Sequence, residues 1–438
     1  MRSGLKPKKR RRKSHQVNIS DVISEARTAD PAAGLYRLLF PLAYFFTLIY
    51  IFSIPFEKAI LVDGIGSISR AVGIPILSVW ILLLLLKQTI RVFVPFYVCS
   101  ALFVLWCSFS LIWGRHPDVV VLFLFTYIQL LLASYFLWLT ISDKKRCVTA
   151  MQVYLVGACG VVGFVFWNFY SNNLAELPGR SGIEGADLNE LAMSISFALP
   201  VAWYLATRKM VGMPSFVVAS ISYGFIPCGI LAIMMTGSRG GFASTVPTAL
   251  YILISLFYIG KGARILAGLA IVLSIALVVQ FVPEWQFDRI LTFSEELETG
   301  EISGRGDLWR AAIEIWLNSP LNSIIGIGIG GFGMEVGIVA HNTFLSVLSE
   351  TGLFGFLLYM SVIVSLVIAT LRSHREVRFL LLTLLMVWVT GALSLTWENS
   401  KLTWLVWSLV VCIAYGFPRH QLKSRGRGRR RRSNRKTG

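Results

Sequence analysis

Charge is scarce in this chain: Asp, Glu, Lys and Arg make up 15% of its 438 residues, against 55% hydrophobic, and the mean hydropathy is +0.68. That balance excludes an ordinary soluble domain, in which about a quarter of the residues are charged. Histidine is rarer still, with five in all, so each one near a membrane edge is conspicuous. Cysteine is sparse and unpatterned: Cys99, Cys107, Cys147, Cys159, Cys228 and Cys412 lie in or beside apolar runs without CxxC spacing. They form neither a disulfide framework nor a metal site. No apolar run follows the first basic block directly, since about twenty mostly polar residues intervene, so no cleavable signal peptide is expected.

What the chain does have is a net charge of +18, and its location decides its meaning. Residues 1–13 carry eight Lys/Arg and no acid, and residues 419–438 carry ten and no acid, which is the whole excess. No nucleic-acid-binding module accompanies the charge, so nucleic acid is not the expected partner. Polybasic tails beside membrane spans mark the cytoplasmic side and touch anionic lipid headgroups, at about 1 kcal/mol per nearby cation. Within the first tail, Ile19, Val22, Ile23 and Ala26 recur at helical spacing and predict a short surface helix before Pro31.

A span needs about 20 apolar residues to cross the hydrocarbon core. Twelve are expected, at 35–53, 71–86, 91–113, 118–142, 147–170, 188–207, 215–236, 240–260, 263–283, 342–371, 376–394 and 399–417. The fold is thus an all-α polytopic bundle. A basic tail (1–34) precedes spans 1–9 (35–283), a 58-residue external loop (284–341) joins spans 9 and 10, and a second basic tail (418–438) follows spans 10–12 (342–417). Alternate loops support this order. Lys87 and Arg91, then Lys144, Lys145 and Arg146, then Arg208 and Lys209, then Lys261 and Arg264, then Arg372, Arg375 and Arg378 all fall on the side of the tails. The opposite loops are mostly neutral or acidic. Both termini are therefore expected in the cytoplasm.

The external exceptions carry the chemistry. Arg180, Arg239, Arg305 and His341 lie where positive charge is not expected by default. A guanidinium is permanently charged and bonds phosphate bidentately, so three at one rim suit a diphosphate. Glycines flank Arg239 and Arg305, which would let backbone N–H groups approach the same anion. The bland alternative is that each arginine snorkels to headgroups or pairs with a local acid; Arg180 has Glu176, Glu184 and Asp187 nearby. His341 begins a long apolar run, and an unperturbed imidazole can take a proton from a hydroxyl near neutral pH, as a general base must. Its alternative role is a helix N-terminal residue bonded to its own turn. Asn342 would orient the ring or bind sugar hydroxyls.

Within the long loop, Leu308, Trp309, Ala312, Ile313, Trp316 and Leu317 share one helical face, with Asp307 placed to cap it and Ser319-Pro320 to end it. That helix should lie on the membrane or roof a cavity. Gly326-Ile-Gly-Ile-Gly-Gly331 matches GxGxxG with Glu350 downstream, but no βαβ unit surrounds it, so it is expected to be a flexible turn. The acidic cluster Glu295, Glu296, Glu298 and Glu301 is better explained as a solvated face than as a cation site. No metal and no cofactor are expected.

Gly237-Ser-Arg-Gly-Gly, Gly304-Arg-Gly-Asp-Leu-Trp with Pro320, Gly326-Ile-Gly-Ile-Gly-Gly-Phe332, His341-Asn-Thr-Phe-Leu and Glu350-Thr-Gly-Leu-Phe-Gly355 together resemble the O-antigen ligase and polymerase family. Arg180 with Asp187-Leu-Asn189 is similar to an earlier loop of that family. The resemblance covers residues 178–358. It implies a metal-independent, inverting glycosyltransferase of the bacterial inner membrane, acting on glycans carried by undecaprenyl diphosphate. It assigns diphosphate binding to Arg239, Arg305 and Arg180 and catalysis to His341; Asn342 and Glu350, in the same motifs, are candidates for a supporting role. The acceptor would be lipid A-core, a protein or another glycan. The family includes ligases and polymerases. The remaining external cations, Lys58, Arg70, Arg115, Arg289, Arg310 and Lys401, look scattered among loops, which favours a ligase. A carrier of lipid-linked glycan is the competing class, although no internal repeat between the halves supports it.

Overall fold

The computed structural model describes residues 31–57, 61–62, 66–86, 93–171, 187–208, 215–284, 286–288 and 305–417. The expected surface helix before Pro31, both basic tails, Arg180 and the Glu295–Glu301 cluster lie outside the described residues. The described chain is helical apart from a two-residue antiparallel ladder pairing Leu61 with Ser67 and Val62 with Gly66. In chain order the helices are α1 (Pro31–Ser53), α2 (Ile68–Leu86), α3 (Pro95–Trp113), α4 (Pro117–Thr140), α5 (Lys144–Ser171), α6 (Leu188–Thr207), α7 (Ser215–Met235), α8 (Arg239–Ala243), α9 (Thr245–Leu256), α10 (Lys261–Phe281), α11 (Gly306–Leu317), α12 (Pro320–Ile325), α13 (Gly331–Val336), α14 (Thr343–Leu371), α15 (Arg375–Ala392) and α16 (Lys401–Gly416).

Eight of these are long and apolar enough to cross a membrane: α1, α3, α4, α5, α6, α7, α10 and α14. The expected count of twelve is therefore not met by length and hydropathy. The other four expected spans fall on shorter or more charged helices. The apolar part of α2 is Ser69–Leu83, α16 has 16 residues, and α15 carries Arg375, Glu376 and Arg378 in its 18. The span expected at 240–260 divides at Ser244 into α8 and α9.

Two helices form the centre of the bundle. Every residue from Leu191 to Leu205 of α6 and from Leu402 to Ala414 of α16 is buried. An indole cluster surrounds α16, with Trp407 ring centroids 5.1 Å from Trp388 and 5.7 Å from Trp404. At the periphery the apolar surface faces outward: α10 exposes Ile265, Leu269, Val272, Ile275 and Val279. Such a stripe is stable only against lipid.

The long loop expected outside the membrane, 284–341, is not a structureless connector in its described part. Its helices α11, α12 and α13 pack over the start of α14. Ala312, Phe332 and Ala340 form a small core joined by Ala311, Ile315, Val336 and Leu345. The expected helix forms with four of the six expected inward residues at least partly buried, Leu308, Trp309, Ala312 and Trp316, while Ile313 and Leu317 are exposed and Ala311 and Ile315 pack in their place. The N-cap is Arg305 rather than Asp307, which sits in the first turn and pairs with Arg310 at 3.4 Å. Arg115 clamps the loop from the other side, 3.0 Å from Glu335. For Arg115 the structural role is the one observed.

Candidate active site

His341 sits one residue outside α14 with φ of 49°, left-handed and unusual for a residue with a side chain. Such backbone costs on the order of 1–3 kcal/mol and persists only where its surroundings over-determine it. Here they do. Asn342 is the N-cap, and its Oδ1 accepts from the amides of Phe344 at 3.0 Å and Leu345 at 3.2 Å. The His341 amide donates to Thr396 Oγ1 at 3.0 Å. The loop carrying Thr396, between α15 and α16, is bound to the first turn of α14 twice more. Thr343 Oγ1 donates to the Leu395 carbonyl at 2.8 Å and accepts from the Trp397 amide at 2.9 Å. Asn342 therefore aims the histidine by fixing the helix start.

Glu350 has a role that its sequence context disguises. Gly330 N–H donates to Glu350 Oε2 at 2.8 Å and Phe332 N–H to Oε1 at 3.2 Å, so the glycine motif does wrap a carboxylate, but the protein's own. The expected flexible turn is instead a strapped one. Gly326 and Gly352, both at positive φ, press back to back: a Cβ on Gly326 would lie 2.2 Å from the Glu350 carbonyl oxygen, and one on Gly352 2.3 Å from that of Ile324. The close approach holds the loop before α14 on that helix, and Gly352 interrupts the helical backbone there.

His341 faces a cavity of about 500 Å³ that it lines with Thr396, Glu57, Arg70, Phe123, Asp187, Glu190, Asn399 and Lys401. Arg70 and Lys401, which look scattered in the sequence, meet here. Lys401 Nζ donates to Glu57 Oε1 at 2.7 Å and to Ser69 Oγ at 2.9 Å, while Glu190 Oε1 accepts from Trp397 Nε1 at 2.9 Å. Three carboxylates, Glu57, Asp187 and Glu190, outnumber the two cations in the lining. Nothing local in the sequence links residues 57, 70, 190 and 401, so only the fold reveals this grouping.

Neither Arg239 nor Arg305 lines that cavity. Arg239 opens α8, half-buried, beside the cavity's wall. Ser238, the cap of α8, accepts from Gly241 N–H at 3.1 Å and donates to Asn189 Oδ1 at 2.9 Å, next to Glu190. The glycines after Arg239 are required for close packing. A Cβ at Gly240 would lie 2.6 Å from Ser394 Oγ and one at Gly241 2.5 Å from Ala192 Cβ. Arg305 is half-buried at the head of α11, whose Ala312 packs beside Ala340, the residue before His341. It lies about 10 Å along the helix axis from that contact. Beneath α8 a second cavity of about 580 Å³ runs between α7, α9 and α10, almost wholly apolar, from Phe242 and Thr245 down past Ile230, Ile252 and Ile271.

Glu398, in the loop between α15 and α16, is buried and accepts from Ser346 Oγ at 2.9 Å. Burial pushes its carboxyl up to about 7, with bonds from the backbone and Ser346 acting in the opposite direction. A carboxyl raised on folding stabilises the fold in its protonated form. That contribution is complete below the ordinary carboxylate range and is lost as pH rises through about 7. The melting temperature is expected to fall between pH 5 and pH 8 in the wild type, and Glu398→Gln should flatten that fall; an unchanged slope in the variant would rule Glu398 out as its source.

Residues 224–360 match the model of a family described as O-antigen ligase, a stretch that includes Arg239, Arg305, His341 and Glu350 but not Arg180. No curated protein matches the chain.

Proposed function

We propose that this chain, whose residues 224–360 match the model of the O-antigen ligase family, is a membrane glycosyltransferase that moves a glycan from undecaprenyl diphosphate to an acceptor hydroxyl at the outer face of the bacterial inner membrane. The observation that carries this reading is the fixed His341 at the wall of a polar cavity, beside a short helix that joins Arg239 to an apolar groove. The groove suits a polyprenyl chain. The carboxylate-rich cavity suits sugar hydroxyls, which donate hydrogen bonds to acids.

In the proposed step His341 takes the proton from the acceptor hydroxyl, whose oxygen attacks the anomeric carbon. The bond from that carbon to the diphosphate oxygen breaks, and the diphosphate leaves on its lipid. Arg239 and Arg305, with Arg180 from the preceding loop, answer the charge that grows on the leaving group. A single displacement inverts the anomeric centre. Cationic side chains then do the work of a divalent metal, so turnover is expected to persist in excess chelator. Activity lost on chelation and restored by Mg²⁺ or Mn²⁺ would give the Glu295–Glu301 cluster the role of ligands.

The same cavity favours a ligase over a polymerase. A polymerase must hold a second lipid-linked chain beside the donor, and the lining offers no second basic cluster for it, since one of its two cations, Lys401, is paired with Glu57. Deleting the gene should leave long glycan accumulating on its lipid carrier. Accumulation of single repeat units would make the protein a polymerase.

A further inference from the structure

The end of the bundle away from His341 holds another cavity, of about 590 Å³, between α6, α9 and α15. Helix α6 connects the two: Glu190 in its first turn lines the His341 cavity and Thr207 at its end lines this one. Its 20 residues span about 30 Å, so the two sites lie at opposite membrane faces. This one lies at the face that the charge pattern assigns to the cytoplasm.

Its polar lining is cationic. Arg208, Arg375 and Arg378 come from two helices, and among the described residues none of the three has a carboxylate within ion-pair distance. Glu376, the one acid in the lining, is taken: Lys144 Nζ donates to its Oε1 at 3.1 Å and Tyr204 to the same oxygen at 3.3 Å. Arg378 Nη2 donates to the Ser373 carbonyl at 2.9 Å, but its Nε is buried and meets no acceptor among the described residues. A buried guanidinium N–H left open in this way is costly unless a further acceptor fills it. The N-terminus of α15 adds positive potential at the same point. The rim, by contrast, is apolar and outward-facing, with Ile254 44% and Phe379 50% exposed. A free inorganic anion has no use for that rim; a lipid has.

We propose that this cavity binds the phosphodiester headgroup of an anionic phospholipid, with Arg208, Arg375 and Arg378 on the phosphate and the acyl chains along Ile254 and Phe379. The site is separate from the basic tails and independent of the glycosyl-transfer reading. The test is native mass spectrometry of the full-length purified protein with equal amounts of phosphatidylglycerol and phosphatidylcholine. Wild type should retain phosphatidylglycerol in preference. Each cation at a membrane surface is worth about a fivefold change in binding, so Arg208→Gln should lower the preference about fivefold and the Arg208→Gln/Arg375→Gln/Arg378→Gln variant on the order of a hundredfold. The tails are common to all variants and cancel in the comparison. Arg372→Gln, at the same end but outside the cavity, should leave the preference at the wild-type level, and excess inorganic phosphate should leave the lipid bound. Undiminished preference in the triple variant, an equal loss in Arg372→Gln, or displacement of lipid by phosphate would each overturn the proposal. Arg208→Gln alone, at the exposed end of α6, decides the matter if the triple variant fails to fold.

Discussion

His341→Asn is expected to slow glycan transfer by about 10²–10⁴-fold, the usual worth of a positioned general base, with the protein still expressed, inserted and stable. Asparagine is the informative replacement because it tolerates the left-handed backbone of residue 341. It removes the base without removing the conformation, so a loss of rate cannot be blamed on strain. Alanine at the same position should show the same rate loss and an added drop in stability. Arg239→Ala and Arg305→Ala should each cost about 10²–10³-fold, the scale for removing one donor from a developing anion. Transfer assays on matched amounts of folded protein measure all four. Wild-type turnover in His341→Asn would remove the histidine from the chemistry.

The largest expected effect on stability is at Glu350. Replacing it with alanine leaves the Gly330 and Phe332 amides buried without their acceptor, at about 1–3 kcal/mol each. Folded proteins have only about 5–15 kcal/mol in hand, so Glu350→Ala should lower the melting temperature markedly and release the loop of α11–α13 from α14. Activity should fall with it, because the strapped loop runs on through Ala340 into His341. Glu350→Gln keeps the shape and one acceptor oxygen, and should fall between wild type and alanine. Melting followed by tryptophan fluorescence in detergent measures this. A Glu350→Ala midpoint within experimental error of wild type would show that the carboxylate does not hold the loop.

Much of this architecture is written in local sequence. Apolar runs place the helices, Asn342 before an apolar run marks the start of α14, and the periodicity of 308–317 places α11. What escapes is everything set by contact across the bundle. The number of membrane crossings depends on how far α2, α15 and α16 penetrate, which hydropathy alone does not decide for helices that are short or carry three charges. The glycines beside Arg239 read as anion-binding backbone, yet Ser394 and Ala192 pack where their side chains would be. Glu350 and the glycine motif read as an accidental match, because nothing local shows that residues 20 positions apart meet as acceptor and donors. Arg70 and Lys401 are 331 positions apart and share the His341 cavity, an adjacency that only the packing of α2 against the start of α16 creates.

In the proposed reaction a glycosidic bond is made at the expense of a glycan–diphosphate bond. The direct measurement is incubation of the purified protein in detergent with a polyprenyl-diphosphate-linked glycan and a hydroxyl-bearing acceptor, followed by analysis of both products. The expected result is one polyprenyl diphosphate released for each new glycosidic bond, with the anomeric configuration inverted and with neither product formed by His341→Asn. Glycan that stays on its lipid carrier throughout, while the protein is folded and binds it, would exclude glycosyl transfer and mark a carrier instead.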